Sequence, residues 1–378
     1  MIFINVRQPN LLIHLRPIIA ILQKNEADLT IIYNNDNVRT KIESEFSKLC
    51  FVEEQNIDHV QEKGITISAD VHSKAPPNSF HLNTLHNQPV KYWLHPTNLL
   101  QNFDGFLCWG PFQKEFILHL YRQGGLIAPE IFESGAPLLD SLVYPHKNRA
   151  DLEMQYGIKR QTKTVLYAPS WNKGLSLDKF GKDIIDAFKN CPKDINILLR
   201  LHPASLFSKE HDPNGYFTGN QAWLDFFKSH LADKENIFDL SGDPNAINAI
   251  LLSDCVLTDF SSIAWDAMVT DVDLFHLDCP EWPTYAAQNK NFGLPKEVLT
   301  LQHDFLNAGR RYGNGVIAPE QISELLRAYS DGQKLPARQA SVVRLHSRLL
   351  YNPGCAAQKT FEIVTQLHNK ILGYQIND

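Results

Sequence analysis

Apolar positions along this chain follow two rhythms. Nearly unbroken apolar runs at Ile2–Val6, Leu29–Tyr33, Ile65–Ser68, Gly105–Trp109 and Glu130–Glu133 predict strands. Between them, at Leu11–Lys24, Val38–Ser47 and Phe112–Arg122, apolar residues return every three or four positions, which predicts amphipathic helices. Strands that are apolar throughout, with no alternation, fit a parallel sheet covered on both faces. After Gly135-Ala136-Pro137 a charged helical stretch runs through Gly157, and a second series begins. Its strands are expected at Thr164–Ala168, Ile195–Leu201, Ile237–Leu240, Cys255–Thr258 and Asp273–Leu277. Its helices are expected at Leu177–Asn190, Gln221–Leu231, Asn245–Leu252, Ile263–Val269 and Glu320–Tyr329.

Two strand-helix series of similar size predict an α/β protein with two Rossmann-like, doubly wound domains facing a central cleft. The expected division is 1–145 for the N-terminal domain and 146–355 for the C-terminal domain. A last helix in 356–378, about Ala356–Leu372, is expected to pack back on the N-terminal domain. No repeat of 20–50 residues and no low-complexity segment interrupts this pattern.

The 378 residues suit two domains, and a 43% hydrophobic share supplies real cores. Net charge is -6 and pI about 6.2, without a basic stripe, so no nucleic-acid partner is expected. The six cysteines lack zinc-ligand spacing and Cys-x-x-Cys, which fits reduced thiols in a cytoplasmic protein. The N-terminus lacks signal-peptide character. No window approaches 18 consecutive apolar residues, so any membrane association is expected to be peripheral.

In doubly wound domains, ligands sit beyond the carboxyl ends of the strands. Three polar segments lie at such places, and a fourth lies elsewhere in the first domain. Thr258-Asp259-Phe260-Ser261-Ser262 follows a strand and opens a helix, where unpaired N–H groups and hydroxyls suit phosphate. Taken singly, Asp259, Ser261 or Ser262 also fits an ordinary helix cap. Arg200-Leu201-His202-Pro203 ends another strand, and strand alternation places Arg200 and His202 on one face. A guanidinium fork and an imidazole there suit a diphosphate, although each also fits an ordinary polar strand end. Tyr167-Ala168-Pro169-Ser170-Trp171-Asn172-Lys173 offers Ser170 and Lys173, with Trp171 expected to pack. His86 and Lys91 lie in a polar segment of the first domain.

In order and spacing these segments resemble the CDP-glycerol glycerophosphotransferase family, which builds teichoic acids and polyol-phosphate capsules. The family's Tyr-Ala-Pro-Thr-Trp-Arg, Arg-x-His-Pro and Thr-Asp-Tyr-Ser-Ser segments correspond to Tyr167–Asn172, Arg200–Pro203 and Thr258–Ser262. Its His-Gly-Thr-Pro-Leu-Lys segment resembles His86–Lys91, with Asn87-Gln88 in place of Gly-Thr. Its Gly-x-Pro-x-x-Asp turn resembles Gly135–Asp140. Asn172 stands where the family has Arg, with Lys173 beside it.

The resemblance implies a GT-B architecture. It also implies transfer of a polyol phosphate, glycerol phosphate first, from a CDP-activated donor to a hydroxyl of a surface polymer or its lipid-linked precursor, with release of CMP. His86 is then the general base, and His202 and Arg200 stabilise the diphosphate and departing CMP. Ser261, Ser262 and the helix start hold the proximal phosphate. Asp259 contacts the nucleoside or orients its loop. Ser170 and Lys173 reach the donor phosphates, and Lys91 the acceptor. No metal or other cofactor is called for: the Asp271/Asp273 pair opens a strand and reads as structural. Peripheral association with the inner membrane face is implied, with Lys91, Tyr92 and Trp93 as candidate contacts. Two alternatives stay open: a GT-B glycosyltransferase using a nucleotide sugar in surface polysaccharide synthesis, and a non-catalytic nucleotide or polymer binder.

Overall fold

The computed structural model describes residues 1–86, 101–145, 148–159, 163–171, 174–206, 223–243, 245–282, 313–333, 335–336 and 349–373. They form two compact units. The first comprises Met1–Tyr144 and His346–Asp378, and the second Pro145–Leu345. The chain thus rejoins its first unit ten residues before 356.

In the first unit, seven strands form one parallel sheet: β1 (Ile2–Val6), β2 (Leu29–Tyr33), β3 (Cys50–Glu53), β4 (Gly64–Ser68), β5 (Ser79–Asn83), β6 (Gly105–Cys108) and β7 (Glu130–Glu133). Their order is β3-β2-β1-β4-β5-β6-β7. The central strands β1, β2 and β4 are buried along their whole length, the reason for their unbroken apolar runs. Helices α1 (Leu12–Lys24), α2 (Asp36–Glu45) and α3 (Pro111–Gln123) follow β1, β2 and β6. The helix α1 turns Leu12, Leu15, Ile18, Ile19 and Leu22 inward at helical spacing.

The second unit repeats the plan. After α4 (Arg149–Tyr156) come β8 (Lys163–Tyr167), α5 (Ser176–Lys189), β9 (Ile195–Leu199), α6 (Trp223–Leu231), β10 (Ile237–Asp239), α7 (Ala246–Leu251), β11 (Cys255–Thr258), α8 (Ile263–Ala267), β12 (Asp273–Leu277), β13 (Gly315–Ile317) and α9 (Ile322–Ser330). The order β10-β9-β8-β11-β12-β13 is again all parallel. Strand order therefore reverses between β1 and β4 in one unit and between β8 and β11 in the other. Those are the points at which such sheets open a ligand crevice.

The last helix, α10 (Ala356–Leu372), belongs to the first unit, where Ile363, Val364 and Leu367 join the core with Ile4, Leu15 and Ile65. It is held at its start. Asp140 accepts from the N–H groups of Ala356 (3.0 Å) and Ala357 (2.8 Å), an anion at a helix N-terminus. Gly135, at φ +88°, lets the returning segment pass so close that a Cβ there would lie 2.3 Å from the Tyr351 carbonyl oxygen. The Gly135–Asp140 segment is thus the clamp that brings the chain's end home.

Three strands escape the apolar-run criterion: β3, β5 and β13. Several predicted elements are too long. Strand β9 stops at Leu199, and α8 stops after five residues. All six cysteines are free thiols, with Cys108, Cys255 and Cys279 buried and Cys50 and Cys355 exposed.

Candidate functional site

In the second unit the segments after β8 and β11 are tied together at the reversal point. The amide of Ala168 donates to the Leu257 carbonyl at 3.0 Å, and Thr258 Oγ1 donates to the Ala168 carbonyl at 2.6 Å. Asp259, 1% exposed, then ties down Ser170 and Ser176 in the segment that follows β8. Its Oδ1 accepts from the Ser170 amide (2.9 Å), and its Oδ2 accepts from the Ser176 amide (3.2 Å) and hydroxyl (2.6 Å). Of the two roles expected for Asp259, the geometry gives it loop orientation. Ser170 is buried and contributes its backbone to this tie, while Lys173 lies outside the described residues.

Directly after Asp259, Ser261 and Ser262 use their carbonyl groups to accept from Ala264 (3.2 Å) and Trp265 (3.0 Å). Ser262 occupies the N-cap without a side-chain cap bond. Among the described residues, none accepts from the amides of Ser261, Ser262 and Ile263. Three successive N–H groups and two hydroxyls thus converge on one short turn, a donor set suited to phosphate oxygens. With only five residues the helix contributes little macrodipole, so the local N–H and O–H groups carry the attraction. Asp266, one turn on, was not anticipated from the sequence. Burial pushes its carboxyl up to about 7, so it spends part of the neutral range protonated and able to donate.

Strand alternation does not apply to Arg200 and His202, because both lie beyond the end of β9. Arg200 turns towards the β10 side, where its Nη1 donates to the carbonyls of Leu240 (2.9 Å) and Asp243 (2.7 Å). Asp243 is itself gripped by Tyr156 Oη and by Asn248 Nδ2 at 3.2 Å. Burial pulls the Arg200 guanidinium below its ordinary value, against the opposing pull of Asp243 and Tyr156, and it remains a cation. His202 goes the other way, its ring centroid 5.9 Å from that of Trp171 after β8. The two residues are close in sequence, but the structure separates their side chains. Asp273 accepts from Asn314 Nδ2 and Tyr329 Oη, in keeping with the structural reading of the Asp271/Asp273 pair.

In the first unit, His86 follows β5 through a constrained turn. Leu85 holds a left-handed φ of +55°, and its amide donates to Asn83 Oδ1 at 2.6 Å. A bulky residue at that φ is strained and persists only where its surroundings hold it. Asn83 is anchored in turn to the Asp70 carbonyl at 3.0 Å. The outcome is the placement of His86, whose Nδ1 lies 2.9 Å from the Ala69 carbonyl oxygen. A carbonyl can only accept, so Nδ1 carries the proton and Nε2 the lone pair of the neutral ring. That is the tautomer a general base needs. Sequence reading missed the neighbours of His86. The His14 ring lies 6.1 Å away, and Trp109 stacks on His14 at 6.0 Å. Lys91, Tyr92 and Trp93 lie outside the described residues.

Comparison with known proteins bears out the family resemblance. The family model for CDP-glycerol:poly(glycerophosphate) glycerophosphotransferase matches residues 119–297, a little under half of the chain. A teichoic acid poly(glycerol phosphate) polymerase of Staphylococcus epidermidis is 28% identical over 149 residues, which are 36% of this chain and 18% of that protein. The chain thus aligns with less than a fifth of that relative's length. Among solved structures, a variant of the wall teichoic acid polymerase TagF superposes with a TM-score of 0.61 at 15% identity, covering 98% of this chain and 89% of that one. The same polymerase soaked with CDPG gives 0.59 at 15% identity over the same shares. A UDP-N-acetylglucosamine 2-epimerase gives 0.56 at 13% identity, covering 100% of this chain and 97% of that one. These likenesses establish the fold as α/β of GT-B type, with two Rossmann-like units.

Proposed function

We propose that this chain is a CDP-glycerol glycerophosphotransferase-like enzyme. It moves a polyol phosphate, glycerol phosphate first, from a CDP-activated donor to a hydroxyl of a surface polymer or its lipid-linked precursor. The observation that carries the reading is the turn after β11. There a buried Asp259 holds the neighbouring loop while the amides of Ser261, Ser262 and Ile263 and two hydroxyls offer phosphate-binding donors. This turn falls within the segment matched by the family model.

In this reading the acceptor hydroxyl attacks the distal phosphorus of the donor. A new P–O bond forms, the P–O bond to CMP breaks, and the proton passes to His86 Nε2. Fixed donors that meet developing phosphate charge lower the barrier without reorganising, and a positioned base adds about 10²–10⁴ in rate. Ser261 and Ser262 hold the proximal phosphate, and His202 donates to the departing CMP. Arg200, anchored to Leu240 and Asp243, supplies fixed positive charge to the diphosphate and departing CMP. Ser170, Lys173 and Lys91 are assigned secondary contacts, the first two to the donor and Lys91 to the acceptor. No helix of the described residues is long and apolar enough to cross a membrane. Peripheral attachment at the inner membrane face is part of the proposal.

The test is CMP release from CDP-glycerol and CDP-ribitol with a membrane or oligosaccharide acceptor extract, beside a UDP-sugar panel. Acceptor-dependent release that His86→Ala abolishes is the expected result. Turnover of a nucleotide sugar, with no release from either CDP-polyol, would replace the reading with that of a glycosyltransferase. Nucleotide binding without any turnover would leave a binding protein.

A further inference from the structure

Three rings gather at the carboxyl edge of the first unit's sheet. His14 lies in the first turn of α1, directly after β1, and His86 and Trp109 follow β5 and β6. His14 is 6.1 Å from His86 and stacks on Trp109 at 6.0 Å with a 30° interplanar angle. Two ring nitrogens of this group, His14 Nδ1 and Trp109 Nε1, are closed off from solvent and have no hydrogen-bond partner among the described residues. Trp109 is only 3% exposed. A buried polar group left unpaired costs about 1–3 kcal/mol, and native proteins hold few of them. Two of them lie on stacked rings next to the residue assigned as the base.

The chemistry of the pair selects the ligand. Trp109 Nε1–H can only donate. Burial and the neighbouring His86 push His14 down to about 3, so its neutral ring presents a lone pair or a single proton at Nδ1. One fixed donor with one adaptable nitrogen matches a hydroxyl, which both accepts and donates. Neither ring supplies the cation that a buried phosphate would require.

We propose that His14 and Trp109 bind a neutral hydroxyl of the acceptor, on the carbon next to the attacking hydroxyl, and thereby hold the attacking oxygen at His86. The assignment rests on the transferase reading of His86, and it makes the acceptor class a vicinal diol such as a terminal glycerol unit. His14 and Trp109 are specificity residues in this scheme. They grip the bystander hydroxyl while His86 takes the proton.

The experiment pairs two acceptors with two variants. The acceptors are glycerol-phosphate oligomers ending in glycerol or in propane-1,3-diol, which lacks the neighbouring hydroxyl. The variants are His14→Phe, which keeps the stacked ring, and Trp109→Phe, both checked for native melting. Wild type is expected to prefer the glycerol end by about tenfold in kcat/KM, the scale of one buried hydrogen bond. In His14→Phe that preference collapses below about threefold, with the loss in acceptor KM while donor KM stays put, and His14→Gln restores part of it. A folded His14→Phe and Trp109→Phe that discriminate like wild type would overturn the assignment. If wild type releases no CMP from any CDP-polyol, the transferase reading fails separately. The subsite is then judged by the Trp109 indole N–H resonance, assigned through Trp109→Phe. A shift with glycerol but not with propane-1,3-diol or inorganic phosphate supports it. No shift with glycerol, or a shift with phosphate alone, refutes it.

Discussion

Replacing Asp259 by Asn separates the loop-holding role of this residue from direct contact with ligand. Among the described residues the carboxylate accepts from the Ser170 amide on Oδ1, and from the Ser176 amide and hydroxyl on Oδ2. An Asn keeps one carbonyl oxygen and turns the other position into a donor. If its oxygen faces Ser170, the Ser176 amide points at an NH₂ group in a site where Ser176 is 0% exposed. Flipping the amide transfers the loss to Ser170, itself 1% exposed. The Ser176 hydroxyl cannot relieve the conflict cheaply, because it already lies 3.2 Å from Tyr167 Oη. One orphaned buried amide, plus one or two charge-assisted bonds reduced to neutral ones, comes to about 2–4 kcal/mol. For a unit of about 200 residues this is a melting shift of about 4–16 °C. Calorimetry gives the shift, and hydrogen exchange at the Ser170 and Ser176 amides locates it. A drop under about 2 °C, with exchange at those amides unchanged, would refute the loop-holding account.

Other outcomes follow from single contacts. Asp140→Ala removes both acceptors at the start of α10 and is expected to cost about 1–2 kcal/mol, with faster exchange of the first α10 amides as the check. Gly135→Ala meets both a left-handed φ and a backbone oxygen 2.3 Å from the new Cβ; denaturant unfolding should show a loss of about 2–4 kcal/mol. Asp266 titrates at about 7 when folded, against 3.8 ordinarily. The unfolded chain therefore releases this proton first, and wild type loses stability as pH rises from about 4 to 7, whereas Asp266→Asn does not. The difference above pH 7 is at most about 4 kcal/mol, reduced by the hydration of the partly exposed side chain. Melting curves at pH 5 and pH 8 decide it, and equal pH slopes for the two proteins would reject the assigned burial.

The sequence announced both sheets because their central strands are buried on two faces and carry no polar interruption. It concealed β5, where Ser79, His81 and Asn83 break the apolar run. His81 and Asn83 are buried, Ser79 is half-buried, and all three are satisfied by Thr66, Ser68 and Asp70. Their polarity marks a hydrogen-bonded seam inside the sheet, which no local rule distinguishes from a loop. Strand β13 hid because it has three residues and begins with glycine. At the candidate site, Asp259, Ser261 and Ser262 were legible because they sit just past a predicted strand end, whereas His86 follows the concealed β5 and was found through its resemblance to the family's His-Gly-Thr-Pro-Leu-Lys segment. The separation of Arg200 from His202 was not legible, since it depends on Leu240 and Asp243, about 40 residues on. Nor was His14: its meaning comes from rings delivered by β5 and β6, and only the strand order brings those to the end of β1.

The clamp at Asp140 also sets a timetable. The core around β1 and β4 needs Ile363, Val364 and Leu367 from α10, yet the chain first runs through the whole second unit. On a ribosome adding about 5–20 residues per second, those roughly 200 residues occupy on the order of 10–40 s. Through that interval the nascent first unit waits with one apolar face uncovered, while the second unit has all its own strands in hand and can fold. Folding in the cell is therefore expected to run out of sequence order, the later segment first. The earliest-made sheet is also the one most in need of a chaperone.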